Sequence, residues 1–350
     1  MRKSAVLVAA AAATALTSAW MTVPAGAATT FSVSCTAGQP NNLQSTLNTA
    51  PSGSTIHISG TCTGNFTVPA NKALTLAGTA TLDGDGSGTV LTINGGDNVR
   101  VSSLTFRHGD PGIKALDGAT VTLSGSTVSG NTDGAFGGVA GIDNSGTMTL
   151  NSSTVSGNTA TGDSSTGGIN NSGTMTLNSS RVSGNTGSEI GGVFSNGGSA
   201  TTTFNSSTVS GNTATGPDGV GGIQDELSVT LNNSSVSNNS ADDGGGGGIY
   251  AAGTLVIVNS RVTGNSAIDG GGLYDDFATV SIRSSTFSGN TASHEGGGIF
   301  NSFGSLTLTH SAVTSNTAGS AGGGIFNEGG TVTLQNSSVS GNTPDNCNSC

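Results

Sequence analysis

Apolar side chains in this chain recur in short alternating runs, not at helical spacing. Thr147-Met148-Thr149-Leu150 reads polar, apolar, polar, apolar, the period of two expected of a strand with one buried face. The same run returns at Leu123, Leu150, Leu177, Phe204, Leu231, Ile257, Ile282, Leu308 and Leu334, and most copies carry Val, Met or Leu two residues earlier, Thr202 being the exception. A second run follows a short corner. In Ser153-Thr154-Val155-Ser156 the serine and the valine share the inward face, and the serine recurs at Ser126, Ser153, Ser180, Ser207, Ser234, Ser260, Ser285, Ser311 and Ser337. A third, shorter strand is predicted at the Gly-Gly-Ile element, seen at Ile169, Ile223, Ile249, Ile299 and Ile325 and replaced by Val193 and Leu273.

Each second strand ends in turn chemistry, and three residues after its Val or Phe stands an asparagine: Asn131, Asn158, Asn185, Asn212, Asn239, Asn265, Asn290, Asn316 and Asn342. The steps run 25 to 27 residues, a period of stacked-coil architectures. Three strands in that length, with no room for a helix, predict one turn of a parallel β-helix, in which equivalent residues stack about 4.8 Å apart. A stacked asparagine column lets each amide donate to the next one's oxygen, and the serine column is expected to bond to corner backbone. Less regular apolar runs between Ile56 and Phe106 extend the core, giving about 11 or 12 coils and a rod about 55 Å long.

The repeats resemble those of secreted bacterial right-handed parallel β-helix proteins, which share the pectate-lyase-like fold, and of chlamydial polymorphic outer-membrane proteins. The Gly-Gly-Ala-Ile and Phe-x-x-Asn marks of those repeats stand here as Gly-Gly-Gly-Ile (Gly296 to Ile299, Gly322 to Ile325) and mostly Val-x-x-Asn, with Phe287 to Asn290 the strict form. The resemblance implies an all-β, right-handed parallel β-helix solenoid. It specifies no activity, because the architecture hosts lyases, hydrolases and adhesins. Chlamydial proteins close with a membrane barrel, whereas here Thr343 to Cys350 alone follow the last ladder asparagine.

The chain opens with Arg2 and Lys3, an apolar stretch from Ala5 to about Trp20 and Ala25-Gly26-Ala27, the pattern of a secretory signal cleaved near Ala27. Residues 1–27 therefore read as a signal peptide, 28–60 as an N-terminal cap and first strand, 61–343 as the β-helix and 344–350 as a Cys-x-x-Cys tail. Four cysteines in a secreted chain predict two disulfides, Cys35 with Cys62 across a short capping helix marked by Leu43 and Leu47, and Cys347 with Cys350 in the last turn. No later segment is long and apolar enough to span a membrane. A net charge of −11, with only 9 Lys and Arg, argues against nucleic acid as a partner.

Acids gather in the loop between each asparagine and the following Gly-Gly element, at Asp133, Asp163, Glu189, Asp218, Asp242, Asp243, Asp269 and Glu295, with Asp275 and Asp276 just beyond. Asp242, Asp243, Asp269, Asp275 and Asp276 come from neighbouring coils and are the candidate oxygen ligands for Ca²⁺, the one cofactor the sequence admits. A lyase would need a base beside its substrate's acid, and Arg107, His108, Asp110 and Lys114 form the one mixed cluster. Few aromatic residues are available to stack sugars. Thr-x-Thr pairs such as Thr120 and Thr122, or Thr147 and Thr149, form an outward array of the kind seen in ice-binding solenoids. The expected function is that of a secreted, non-catalytic β-helix with an adhesive, glycan-binding or structural role, its partner an extracellular polysaccharide or cell-surface glycan. A carbohydrate-active enzyme, lyase or glycoside hydrolase, is the alternative, and ice binding a third.

Overall fold

The computed structural model describes residues 29–350; the proposed signal peptide lies outside the described residues. Parallel strands stack into a β-solenoid of about twelve turns, twelve being the number of strands in its third-strand sheet. One repeat shows the plan: strands Thr147–Asn151, Thr154–Ser156, Thr159–Ala160 and Ile169–Asn171. The sequence predicted three strands per coil, which the early coils have, and eight of the later coils carry a fourth. The additional one is a two-residue ladder after the asparagine turn, stacked eight deep from Thr132–Asp133 to Thr317–Ala318. Its outward Thr or Ser and inward residue, most often Ala, obey the same alternation, but two residues are too few to register as a period.

Register places like on like. Leu123 pairs with Leu150, Leu150 with Leu177 and Leu177 with Phe204, and each is buried at 1 % exposure or less. Such columns fill the interior without voids because neighbouring coils present the same shapes. The Gly-Gly element has a steric reason: a Cβ on Gly298 would stand 2.5 Å from the Gly324 carbonyl oxygen and 2.8 Å from Val313 Cγ1.

The asparagines form the predicted ladder, and every polar atom in it is used. Asn212 Oδ1 accepts from Asn185 Nδ2 at 2.9 Å and from the Asn185 backbone N–H at 3.0 Å, while Asn212 Nδ2 donates to Asn239 Oδ1 at 2.9 Å and to the Val182 carbonyl at 3.2 Å. The pattern runs from Asn131 to Asn342, whose amide and backbone N–H meet Asn346 Oδ1 at 3.3 and 3.1 Å. Asn346 therefore terminates the ladder from within the tail, only four residues on in sequence, where the repeat spacing could not reveal it. The serines bond as expected: Ser180 Oγ accepts the Ser153 N–H at 3.1 Å and reaches the Leu150 and Asn178 carbonyls at 3.1 and 2.9 Å.

At the start of the solenoid, strand Thr30–Cys35 pairs with Ser54–Thr63, and helix Leu43–Thr49 buries Leu43 and Leu47 fully over the first coils. Cys35 and Cys62 are joined, with Cα atoms 4.9 Å apart, and Cys347 and Cys350 are joined at 5.9 Å. Replacing both Cys35 and Cys62 by serine opens a loop of 27 residues and is expected to cost about 2 to 4 kcal/mol in urea unfolding. A midpoint equal to that of the parent chain would show that the helix caps the end without the bond.

Candidate functional site

The middle residue of each third strand points away from the core, so register stacks these residues too. Gln224, Tyr250, Tyr274, Phe300 and Phe326 stand in one column. The rings lie face to face, with centroids 5.5 Å apart for Tyr250 and Tyr274, 4.7 Å for Tyr274 and Phe300, and 5.0 Å for Phe300 and Phe326. This aromatic column stacks ring on ring. Its signal was present in the sequence, as the residue directly after the Gly-Gly-Ile element in four consecutive coils.

The acidic loops rise beside that column and enclose a groove of about 460 Å³, lined by Glu189, Asp218, Asp243, Asp269 and Asp276 around Tyr250, Tyr274 and Gln224. A smaller hollow of about 270 Å³ shares Glu189 and Asp218 with it and continues to Asp163. No lysine or arginine among the described residues lines either. Tyr250 donates its phenol proton to Asp276 Oδ2 at 2.6 Å. Burial, and then this bond to a carboxylate, push the Tyr250 pKa upward, so the phenol keeps its proton. Gln224, 9 % exposed, sets its amide nitrogen 3.4 Å from Glu226 Oε1. Burial raises the Glu226 pKa, an effect the Gln224 hydrogen bond opposes and the nearby Glu189 charge reinforces.

Of the five candidate calcium ligands, Asp243, Asp269 and Asp276 face the groove and two do not. Asp242 is exposed and accepts the Ser240 hydroxyl at 3.1 Å. Asp275 lies fully buried inside the solenoid, because adjacent residues on a strand point to opposite faces. Asp269 instead meets His294 Nδ1 at 3.1 Å and accepts the Glu295 backbone N–H at 2.9 Å. One ligand atom each from Asp269, His294 and Glu295 lies within 4.8 Å of the others, and an imidazole among them favours a first-row transition ion over Ca²⁺.

Arg107, His108, Asp110 and Lys114 do not converge. Arg107 Nε and His108 Nδ1 both pair with Asp83, at 2.9 and 3.1 Å, and Lys114 pairs with Asp143 at 2.9 Å. Burial opposes ionisation of Asp83, but the Asp85 N–H and the hydrogen bonds from Arg107 and His108 outweigh it and hold its pKa low. Asp110 turns instead to Asp133. Burial and that second carboxyl raise the Asp110 pKa to about 6, while Asp133 already accepts the Ala135 and Val139 backbone N–H groups at 2.7 and 2.8 Å.

A separate column lies inside the third-strand sheet: Asn144, Asn171, Ser195, Asp225, Ala251, Asp275, Asn301 and Asn327 in register. Burial pushes the carboxyls of Asp225 and Asp275 up to about 7, against the hydrogen bonds of the Leu227 and Val229 N–H groups to the first and of the Ala278 N–H to the second; the Glu226 and Asp276 charges add to the rise. The threonines of the outward array are also in register, Thr120 on Thr147, Thr174 and Thr201. No helix among the described residues is long and apolar enough to cross a membrane. Comparison with protein-family models, with curated proteins and with solved structures gave no match to this chain.

Proposed function

We propose that this chain is an exported, non-catalytic β-solenoid of the bacterial β-helix kind that holds extracellular glycan along the groove at Tyr250 and Tyr274, as an adhesive or structural module. The observation that carries the reading is the groove itself: a hollow large enough for a saccharide, walled by carboxylates, two tyrosines and an amide. β-Elimination beside a uronate requires a base and counter-charges for the substrate's acid. A wall on which no lysine or arginine stands among the described residues offers that acid no cationic side chain, and its carboxylates repel uronates. The two pairs of bonded cysteines and the signal-like start of the chain support export.

Affinity electrophoresis through gels cast with individual polysaccharides tests this. Retardation of the parent chain, at least a threefold loss of it in the Asp276→Asn and Tyr250→Phe double variant, and no release of reducing ends or unsaturated products are the expected results. Product release at any gel position would replace this reading with a carbohydrate-active enzyme. One observation favours that alternative: the Asp110 and Asp133 carboxyls share a site and the first is held near pKa 6, as a general acid requires. Asp110→Asn would then abolish turnover.

A further inference from the structure

We infer that Asp225 is a pH latch inside the solenoid: while its carboxyl keeps a proton the coils behind Gln224 and Tyr250 stay closed, and loss of that proton opens them together with the adjoining groove wall. The inner column of the third-strand sheet is where hydrogen bonding fails. Seven buried side-chain atoms lack a hydrogen-bond partner among the described residues. Four of them stand in this column, and all four are oxygens: Asn144 Oδ1, Asp225 Oδ2, Asp275 Oδ2 and Asn301 Oδ1. Where asparagine follows asparagine the column supplies itself, Asn144 Nδ2 donating to Asn171 Oδ1 at 2.8 Å and Asn301 Nδ2 to Asn327 Oδ1 at 2.7 Å.

Asp225 has no such supply. Its Oδ1 accepts the Leu227 N–H at 3.0 Å, and its Oδ2 is bare. Of its two neighbours in register, Ala251 has no side-chain donor, and Ser195, which accepts the Thr202 hydroxyl at 3.0 Å, makes no hydrogen bond to the acid among the described residues. An ionised carboxylate only accepts, so its charge would stay unpaired in a fully buried position. The charge that acts on it, Glu226, has its own sign. On the strands beside it, Val193–Ser195, Ile249–Ala251 and Ser228–Asn232, the titratable side chain is Tyr250, which burial keeps protonated; Glu189 lies beyond Glu226, and Asp275 lies two coils along the column. Burial lifts the Asp225 pKa from its ordinary 3.8 to about 7, against the pull of the Leu227 and Val229 N–H groups. Between those values the closed strands hold more protons than opened ones, so closure weakens as pH rises through that window. The pleat carries the effect outward. Gln224 precedes Asp225, and Tyr250 stands beside Gln224 in the next coil; both line the groove. The latch works on that wall whatever the groove holds.

Amide hydrogen exchange of the full chain, read by mass spectrometry at about pH 5 and about pH 8.5 and corrected for intrinsic rates, tests this. Amides of Ile223–Asp225 and Ser228–Asn232 should lose at least tenfold more protection at the higher pH than those of Ile142–Asn144 and Thr147–Asn151, where the column carries Asn144. Asp225→Asn should abolish that excess and leave the pH response of Leu273–Asp276 unchanged. Asparagine already stands at four places in the column, Asn144, Asn171, Asn301 and Asn327, so the substitution suits the fold. Asp225→Ser, which copies position 195, is a second arm that does not depend on how an asparagine packs. An equal loss of protection in all coils overturns the inference without either variant. So does an excess that survives both substitutions, which would assign the response to Glu226.

Discussion

Replacing Asn212 by alanine is expected to lower the free energy of unfolding by about 3 to 5 kcal/mol, among the largest losses any single residue of this chain can cause. The side chain is fully buried and makes four hydrogen bonds. Its removal strands the Asn185 backbone N–H and one Asn185 Nδ2 proton away from water, each at roughly 1 to 3 kcal/mol, and takes a donor from the Val182 carbonyl and from Asn239 Oδ1. Asn212→Asp is expected to be at least as harmful. A carboxylate still accepts from Asn185 but turns an oxygen toward Asn239 Oδ1, where an N–H belonged. The same change at Asn342, 8 % exposed and last among the nine, should cost less, because water reaches what it strands. Urea unfolding of the three variants decides it; a loss under about 1 kcal/mol at Asn212 would mean that neighbouring coils close over the gap.

Asp275→Asn is expected to act in the opposite direction, making the chain more stable at pH 8 and changing little near pH 4. Asp275 lies in a column whose neighbouring member is Asn301, and neither Asp275 Oδ2 nor Asn301 Oδ1 has a hydrogen-bond partner among the described residues. A proton retained on the acid is the donor both oxygens lack. The folded chain holds this proton up to about pH 7, whereas the unfolded chain releases it near 3.8. Between those values the native state binds more protons than the unfolded state, so stability falls as pH rises through that window and is flat above it. The full shift corresponds to about 4 kcal/mol, and the asparagine, which carries its own donors, should recover roughly 2 to 4 of that at pH 8. Asp225, buried in the same way, leaves a similar slope in the variant. If melting temperatures of parent and variant run parallel from pH 4 to 8, Asp275 is not protonated in the fold.

The solenoid was legible because its interior is written in columns. Leu150 over Leu177, Ser153 over Ser180 and Asn158 over Asn185 repeat the same residue at the same step, and stacking demands such identity. Groove-lining residues obey no such demand. Glu189, Asp218 and Asp243 sit in loops of unequal length, so no fixed offset marks them as one wall. Neighbours in sequence also misled: Asp275 and Asp276 look like one site, yet the pleat sends the first into the core and the second into the groove. Arg107 and Lys114 looked like one cluster, yet they bind acids contributed by different strands, Asp83 and Asp143.

The asparagine ladder gives the rod a direction. Every amide from Asn131 to Asn316 donates toward the following coil, so the side-chain carbonyls all point back toward the start of the chain, and Asn346 supplies the oxygen that ends the series. The aligned dipoles polarise one another, and a coil inserted or duplicated in the same orientation would join the series without a seam. A coil entering upside down would set oxygen against oxygen, so the molecule can lengthen by whole repeats but cannot be read in reverse.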